Sequence, residues 1–430
     1  MNVLHVKYLL VGGGVASTAA AKAIRARDPD GSLLVVGQEV HRAYRRPELS
    51  RAYLRRQVKR DHLYVDDPDW FVRAHVDLRT GRRVSRLDPP RSAATLDSGE
   101  EVSYDHVLIA TGASAAPLDV PGAALPNLFY LRTVDDADVL RLAIEKAHAE
   151  GRPHRPAGAG AERPIGRGKA VVIGGGLLGV EVAASLKQTG LAVDLVCAEP
   201  HPWAKQAGDA TGRFVAALLA RHGVTVRPGR RPLRLEGDGR VQRVVLDDAE
   251  RTVLDCDFAV ACVGAAANKD LLRNTTISAG KAILVDPFGR TSVPNVFAAG
   301  DCCAVFDPRF GKHRWLEHWD GALATAALAG RNMAGADEPL NDLPGWDSEA
   351  FGVTARGWGE ARLVDRRLIR GGTAADSAGF AEIGVDKDGR VAQVIAVGQV
   401  PDAEALRQLV WDRADVGGRE DALRDPTAAV

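Results

Sequence analysis

The 430-residue chain balances 56 Lys+Arg against 56 Asp+Glu, is 46% hydrophobic and 26% charged, and carries no formal net charge. That length exceeds one ordinary core and implies two or three domains. The charge balance excludes a nucleic-acid or anionic-membrane surface by bulk charge, and no apolar run approaches the roughly 20 residues of a membrane helix. The opening MNVLHVKYLLVGGG has no basic stretch or cleavage site, so no secretory signal is expected. The five cysteines (Cys197, Cys256, Cys262, Cys302, Cys303) lack zinc-ligand spacing. They read as cytoplasmic thiols buried as small hydrophobes, with no metal site.

Taken in chain order, Tyr8–Val11 is an apolar strand that runs into Gly12-Gly13-Gly14. An alanine-rich helix is predicted over Ala16–Arg27 and a second strand over Ser32–Val36. This is a dinucleotide-type turn with two departures. Ser17 holds the third glycine position, and Gln38 and Glu39 share the acidic position that bonds a ribose. Residues 41–63 read as a loop then a helix with arginines around Pro47, and Trp70 to Val102 as short strands. Tyr104–Ala110 is a buried strand entering Thr111-Gly112, and a helix covers Val134–Ala149. Residues 151–168, GRPHRPAGAGAERPIGRG, have no apolar period and read as a flexible insertion.

The stretch from Lys169 to Glu199 repeats the opening architecture in stronger form. Strand Ala170–Ile173 breaks into Gly174, Gly175, Gly176 and then Gly179. A helix follows with Leu178, Val182, Ala183 and Leu186 on one face, and a second strand ends at Glu199. Gly174 permits the tight turn, Gly176 lets backbone approach a pyrophosphate, and Gly179 lets the helix lie close on the strand. The pyrophosphate meets unpaired N–H groups at the helix N-terminus. The Glu199 carboxylate suits ribose hydroxyls and repels a 2′-phosphate, so NAD(H) is expected in preference to NADP(H). Two such units in one chain imply an enzyme that passes electrons between two bound cofactors, or a binder of two nucleotides.

Beyond them, Ala210–His222 is an amphipathic helix, and Val224–Val226, Leu233–Glu236, Val241–Leu246 and Thr252–Leu254 are short strands. A buried strand, Phe258–Val263, ends at Gly264, a further candidate cofactor position. Strand Val296–Ala299 ends at Gly300-Asp301, whose carboxylate can face a polyol or pyrophosphate. A helix of small residues covers Gly321–Met333. From Asp342 onward the pattern becomes a separate α+β unit, with strands at Arg362–Ile369, Phe380–Val385 and Val391–Val397 and a helix at Ala403–Trp411. The last residues, Gly417 to Val430, read as weakly anchored or draped.

YRRPELS (Tyr44–Ser50), VLIATGA (Val107–Ala113), VPNVFAAGD (Val293–Asp301) and LEHWDGA (Leu316–Ala322) stand in order with the two glycine turns. Together they resemble the FAD-dependent pyridine nucleotide-disulfide oxidoreductase superfamily. The resemblance is nearest to the ferredoxin (rubredoxin, putidaredoxin) reductases and the apoptosis-inducing-factor-like NADH oxidoreductases. It implies an α/β fold of two Rossmann-like, three-layer ββα nucleotide-binding domains plus a C-terminal α+β domain. FAD would occupy a discontinuous domain of residues 1–120 and 266–335, NAD(H) residues 121–265, and an interface domain residues 336–430.

By the same resemblance, Gly12, Gly14 and Ser17 hold the FAD pyrophosphate, and Gln38 or Glu39 takes the adenosine ribose with Arg46 nearby. The Val84 backbone meets adenine, Thr111 and Gly112 line the pocket, and Asp301 bonds the ribityl–pyrophosphate region. Glu317 and Trp319 match the E-x-W of ferredoxin reductases beside the isoalloxazine. His318 and Trp346 match the factor-like branch. Glu181 matches the family's glutamate near the flavin, whereas Arg51 stands where the family has its partner lysine, which predicts an Arg51–Glu181 pair. No cysteine precedes Cys197, which disfavours dithiol chemistry at the flavin.

The implied activity is transfer of electrons from NADH through FAD to a small ferredoxin-like protein or other acceptor. Two alternatives stay open: a slow NADH-sensing flavoprotein of the factor-like type, and a degenerate scaffold that has lost FAD. Nucleic acid and a membrane span are not expected, and a homodimer is left open.

Overall fold

The computed structural model describes residues 3–151, 153–154, 166–374 and 377–430. Most of the expected insertion at 151–168 lies outside the described residues. At its two ends, Pro153–His154 pairs antiparallel with Gly166–Arg167. By packing, the chain divides into two compact units. One comprises Met1–Arg45, Arg60–Ser114 and Ala265–Trp346, the other Arg46–Lys59, Ala115–Gly264 and Asp347–Val430.

The first unit is built on a parallel sheet in the order Val76–Thr80, Leu33–Gly37, Leu4–Val11, Glu101–Ile109. The long strand Glu101–Ile109 serves two neighbours. Its first half pairs antiparallel with Ala93–Leu96, and its second half pairs parallel with Val296–Ala298. Side chains alternate across this sheet with the period of two that a pleated strand dictates. Leu10, Val35, Leu108 and Phe297 face helices Val15–Arg25 and Trp319–Met333, sharing a core with Ala20, Ile24, Ala326 and Ala329. Leu9, Val36, Val107 and Ile109 face the other way, into a core with Val84, Leu96, Val285 and Val305. Both faces are therefore covered, as a parallel sheet requires. The two helices approach closely because a Cβ at Gly330 would stand 2.5 Å from the Ala20 carbonyl oxygen.

The second unit has its own parallel sheet, in the order Val224–Pro228, Ala192–Cys197, Lys169–Ile173, Phe258–Ala261, Leu128–Phe129. Helices Val134–Glu150, Leu177–Gln188 and Asp209–Arg221 belong to it. Thr133 starts the first of these with a reciprocal cap, its side chain and that of Asp136 each accepting the other's backbone N–H. Strands Pro232–Glu236, Arg243–Leu246 and Val253–Asp255 form a small antiparallel sheet. A five-stranded sheet in the order Trp346–Ala350, Val353–Gly359, Val391–Gly398, Gly379–Val385, Arg366–Gly371, with helix Ala403–Trp411, makes the α+β part. The fold class is the expected one: two Rossmann-like sheets and a C-terminal α+β portion.

Three local expectations are corrected. Residues 41–63 hold no α-helix but two 3₁₀ turns, Arg46–Ser50 and Arg60–Leu63. Pro47 has no N–H to give a helix, and Ser50 Oγ donates to its carbonyl at 3.2 Å, which tightens the first turn. The first strand expected in the α+β part starts later, at Arg366, after a 3₁₀ turn over Ala361–Leu363. The carboxyl-terminal stretch is anchored. It forms a short helix, Glu420–Arg424, and the buried Arg370 guanidinium donates to the carbonyls of Ala422 at 3.1 Å, Ala428 at 2.6 Å and Asp425. A buried arginine needs all its donors satisfied, and Asp402 takes Nε at 2.8 Å.

Candidate functional sites

In the first unit, Gly12 is in a backbone region closed to other residues (φ 128°), and a Cβ there would stand 2.0 Å from the Ala110 carbonyl oxygen. Gly14 caps the following helix in an extended conformation. No side chain caps it among the described residues, and a Cβ at Gly14 would meet nothing within 4 Å. The result is a helix N-terminus with no side-chain cap and open space at its capping residue, a geometry suited to an anion. Ser17, in the first turn, is fully buried, and its Oγ has no hydrogen-bond partner among the described residues. A buried hydroxyl without a partner is costly and calls for an acceptor that comes from outside the chain.

Asp301 lies in the turn Gly300–Cys302. Gly300 (φ 73°) would place a Cβ 3.1 Å from Ala16 and 3.8 Å from Ala322, the second and fourth residues of the two helices. Both helix N-termini thus converge beside Asp301. His318 caps the second of them in an extended conformation, Glu317 before it is exposed, and Trp319 begins the helix. Thr111 is fixed by a reciprocal pair that the sequence did not suggest. Its Oγ1 donates to the Asn268 carbonyl at 2.7 Å, and Asn268 Nδ2 donates to the Thr111 carbonyl at 2.9 Å. Asn268 N–H also reaches the Gly112 carbonyl at 2.9 Å. Tyr44 Oη donates to Glu39 at 2.5 Å, while Gln38 is exposed and Val84 is buried at the start of its strand. Trp346 is half-buried at the unit's last residue. Arg46 belongs to the second unit, where its guanidinium donates to the Arg132 carbonyl at 2.6 Å.

The second unit repeats the turn. Gly174 (φ 121°) would place a Cβ 2.2 Å from the Cys262 carbonyl oxygen, and Gly176 caps helix Leu177–Gln188 exactly as openly as Gly14 does its own, with nothing within 4 Å of a Cβ. At Gly179 a Cβ would fall 1.8 Å from the Gly174 carbonyl oxygen, so no side chain fits. Gly264 (φ 121°) opens onto space at the end of the neighbouring strand. Glu199 follows strand Ala192–Cys197 and is ion-paired with Lys205 at 2.8 Å.

Beside this turn the structure brings Arg51 and Glu181 together. Glu181, the fifth residue of helix Leu177–Gln188, is buried. It accepts from Arg51 at 2.8 Å, Ser50 Oγ at 2.6 Å and Ser348 Oγ at 2.9 Å. Arg51 also pairs with Asp347 at 2.6 Å. Burial disfavours the guanidinium charge, but the two carboxylates outweigh it and hold the Arg51 pKa above its ordinary value. Asp347 and Ser348 stand in the GWDS stretch with Trp346, but their pairing with Arg51 and Glu181 went unread because those partners lie more than 100 residues away. Close by, burial and then the Glu181 charge push the Cys262 thiol up to about 12. It stays protonated at neutral pH and is no nucleophile. All five cysteines are free and buried. No group of side chains suited to a metal ion occurs among the described residues, and no helix among them is long and apolar enough to cross a membrane.

The chain was compared with known proteins. It is 31% identical over 362 residues to the biphenyl dioxygenase system ferredoxin–NAD(+) reductase component of Paraburkholderia xenovorans (strain LB400), covering 84% of this chain and 83% of the relative. It is 30% identical to the ferredoxin reductase component of chlorobenzene dioxygenase from Cupriavidus sp. (strain PS12), covering 95% and 93%. The crystal structure of the ferredoxin reductase for the CYP199A2 system from Rhodopseudomonas palustris superposes with a TM-score of 0.87 at 26% identity, over 97% of each chain. The family model described as pyridine nucleotide-disulphide oxidoreductase matches residues 6–326, a span that takes in both glycine turns, and the chain belongs to that family.

Proposed function

We propose that this chain is an NADH-dependent ferredoxin reductase, with FAD at the first glycine turn, NAD(H) at the second and a ferredoxin-like iron–sulfur protein as acceptor. The single observation that carries the reading is the duplicated, open helix N-terminus at Gly14 and Gly176 within one chain. The residues fit the two groups. The Ser17 hydroxyl suits a pyrophosphate oxygen, and both glycine caps leave room for phosphate against backbone N–H. When bound, FAD supplies the redox chemistry, accepting two electrons from NADH and releasing them singly.

The chain's own residues position and exclude. Gly12, Gly14, Ser17 and Asp301 hold the diphosphate region of FAD, with Glu39 or Gln38 on its ribose, Val84 at the adenine, and Thr111 and Gly112 along the pocket. Glu317, His318, Trp319 and Trp346 border the ring system. Gly174, Gly176, Gly179 and Gly264 shape the nicotinamide nucleotide site, and Glu199 takes its adenosine ribose. Arg51 and Glu181 keep a balanced charge pair beside that site. Because arginine remains protonated, Arg51 supplies fixed charge rather than a proton. The functional division we propose is FAD on 1–120 and 266–335, NAD(H) on 121–265 and an interface portion on 336–430. The work is cytoplasmic in this reading.

An acceptor screen tests the proposal. With NADH, rapid reduction of an added [2Fe–2S] ferredoxin is expected, with weak activity on NADPH. Slow turnover with every acceptor, accompanied by NADH-dependent change in sedimentation, would replace the proposal with the sensing alternative.

A further inference from the structure

Residues 200–208, between Glu199 and helix Asp209–Arg221, are fastened at both ends, and one fastener comes from far along the chain. At the front, Trp203 N–H donates to the Gly175 carbonyl at 2.8 Å, inside the second glycine turn. A Cβ at Gly175 would stand 3.5 Å from Pro202 Cα, so the segment lies directly against that turn. Trp203 is buried and in the left-handed backbone region (φ 63°), which a bulky residue keeps only where its surroundings hold it. At the back, Gly208 caps the helix and has no side chain with which to do so. Glu382, fully buried in strand Gly379–Val385, acts in its place. Its carboxylate accepts from Gly208 N–H at 2.6 Å, Thr211 Oγ1 at 2.8 Å and Thr211 N–H at 3.3 Å, and pairs with Arg367 at 2.6 Å. A helix N-terminus favours that negative charge. From the neighbouring strand Val391–Gly398, Gln393 Nε2 donates to the Gln206 carbonyl at 2.9 Å. The same sheet meets the helix again where Phe380 lies edge-on to Phe214, with ring centroids 5.3 Å apart.

We infer that Glu382 is a positioning residue for NADH, acting through segment 200–208 on the second glycine turn although it stands 174 residues beyond Gly208. The inference rests on the reading of that turn as the nicotinamide nucleotide site. Burying a carboxylate is costly, and an apolar side chain would pack sheet against helix without that cost. What the carboxylate adds is direction. It accepts only from donors placed where Gly208 and Thr211 place theirs, so it fixes how the segment enters the helix. Released at Gly208, the segment lets Trp203 leave its strained conformation, and the Gly175 carbonyl loses its donor. The segment begins directly after Glu199 and contains Lys205, the ion-pair partner of Glu199 at 2.8 Å. The effect therefore falls on the adenosine half of the nucleotide, and binding suffers while turnover of the bound complex does not.

The test is calorimetric binding of ADP-ribose to the native chain, Glu382→Gln and Thr211→Val, with KM and kcat for NADH, flavin content and flavin potential measured alongside. Glu382→Gln keeps the shape and removes the charge. Its affinity for ADP-ribose should fall about tenfold, the worth of one hydrogen bond to a charged group, and KM for NADH should rise by the same factor. The kcat, flavin content and potential should hold. Thr211→Val removes one donor at nearly constant volume and should give about a threefold loss of the same kind. Native affinity in both variants overturns the assignment. So does a loss of flavin or of kcat in step with the loss of affinity, which would make Glu382 a support of the fold in general. If Glu382→Gln does not fold, Thr211→Val decides alone by the same two criteria. A native chain that fails to bind ADP-ribose overturns the nucleotide reading itself, whatever the variants do.

Discussion

The two glycine turns are built on one plan and differ in three places. In each, the first glycine has positive φ, and a Cβ there would run into a carbonyl just past the neighbouring strand, Ala110 in one and Cys262 in the other. At the second glycine, a Cβ would stand 2.9 Å from Gly37 Cα in the first turn and 2.3 Å from Cys197 Sγ in the second. At the third position the first turn buries a hydroxyl at Ser17, while Gly179 leaves no room for any side chain. At the end of the second strand, Glu39 is held by neutral Tyr44, and Glu199 by cationic Lys205. The shared features are those that admit a pyrophosphate. In the proposed reading, the differing ones distinguish the flavin turn from the nicotinamide turn.

The largest expected effect comes from breaking each turn separately. Gly12→Ala and Gly179→Ala each force a Cβ into a carbonyl oxygen, at 2.0 and 1.8 Å respectively. Each should weaken its own nucleotide by at least about 100-fold, since such strain costs several kcal/mol. Gly12→Ala should purify colourless yet still bind ADP-ribose, and Gly179→Ala should purify yellow yet fail to react with NADH at ordinary concentrations. Absorbance and calorimetry on the two variants check this crossed pattern.

Next in size is the buried charge pair. Glu181→Ala leaves Arg51 with Asp347 only and strands the buried Ser348 hydroxyl, so a loss of about 3 kcal/mol in urea unfolding is expected. Arg51→Lys keeps the charge but gives up the fork that reaches both carboxylates. It should cost about 1–2 kcal/mol and shift the flavin potential. Identical potential and reduction rate in Arg51→Lys would remove Arg51 from the redox reading.

A subtler sharpening is Ser17→Gly, which gives the first turn the third position of the second. It should lower FAD affinity about tenfold or more, the worth of one hydrogen bond to a charged phosphate oxygen, while costing the flavin-free chain little stability. The smallest effect is electrostatic. Burial opposes the Glu199 charge, but the hydrogen bond and charge of Lys205 hold its carboxyl below the ordinary pKa, so its stabilising contribution is present above the unfolded carboxylate pKa and is lost as pH falls through the folded value. Solvent screening keeps that contribution below about 1 kcal/mol, and Glu199→Gln should flatten the acid limb of thermal stability accordingly.

Both turns were legible in the sequence because their constraints are local. Positive φ demands glycine, and helix and strand periods are read within thirty residues. The Arg51–Glu181 pair was legible only through resemblance, since nothing local joins residues 130 apart in sequence. Asn268, which clamps Thr111, carried no signal, because it stands in no motif and acts on a distant partner; Ser348, which completes the Glu181 site, lay within the GWDS stretch whose resemblance pointed to Trp346 but not to the serine. The helix expected within 41–63 failed for the opposite reason. Its composition favours a helix, but Pro47 and the Ser50 hydroxyl draw the backbone into tighter turns. The tail after Gly417 looked loose because its anchor, Arg370, lies in a strand some fifty residues earlier.

The most direct measurement is an anaerobic titration of the purified chain with NADH, followed in the visible absorbance of the flavin. Bleaching that completes at equal amounts of NADH and bound flavin, with colour restored by an oxidised ferredoxin, is the predicted result. A chain that purifies colourless, or a yellow that persists under excess NADH, would contradict the seating of two cooperating nucleotides in these two turns.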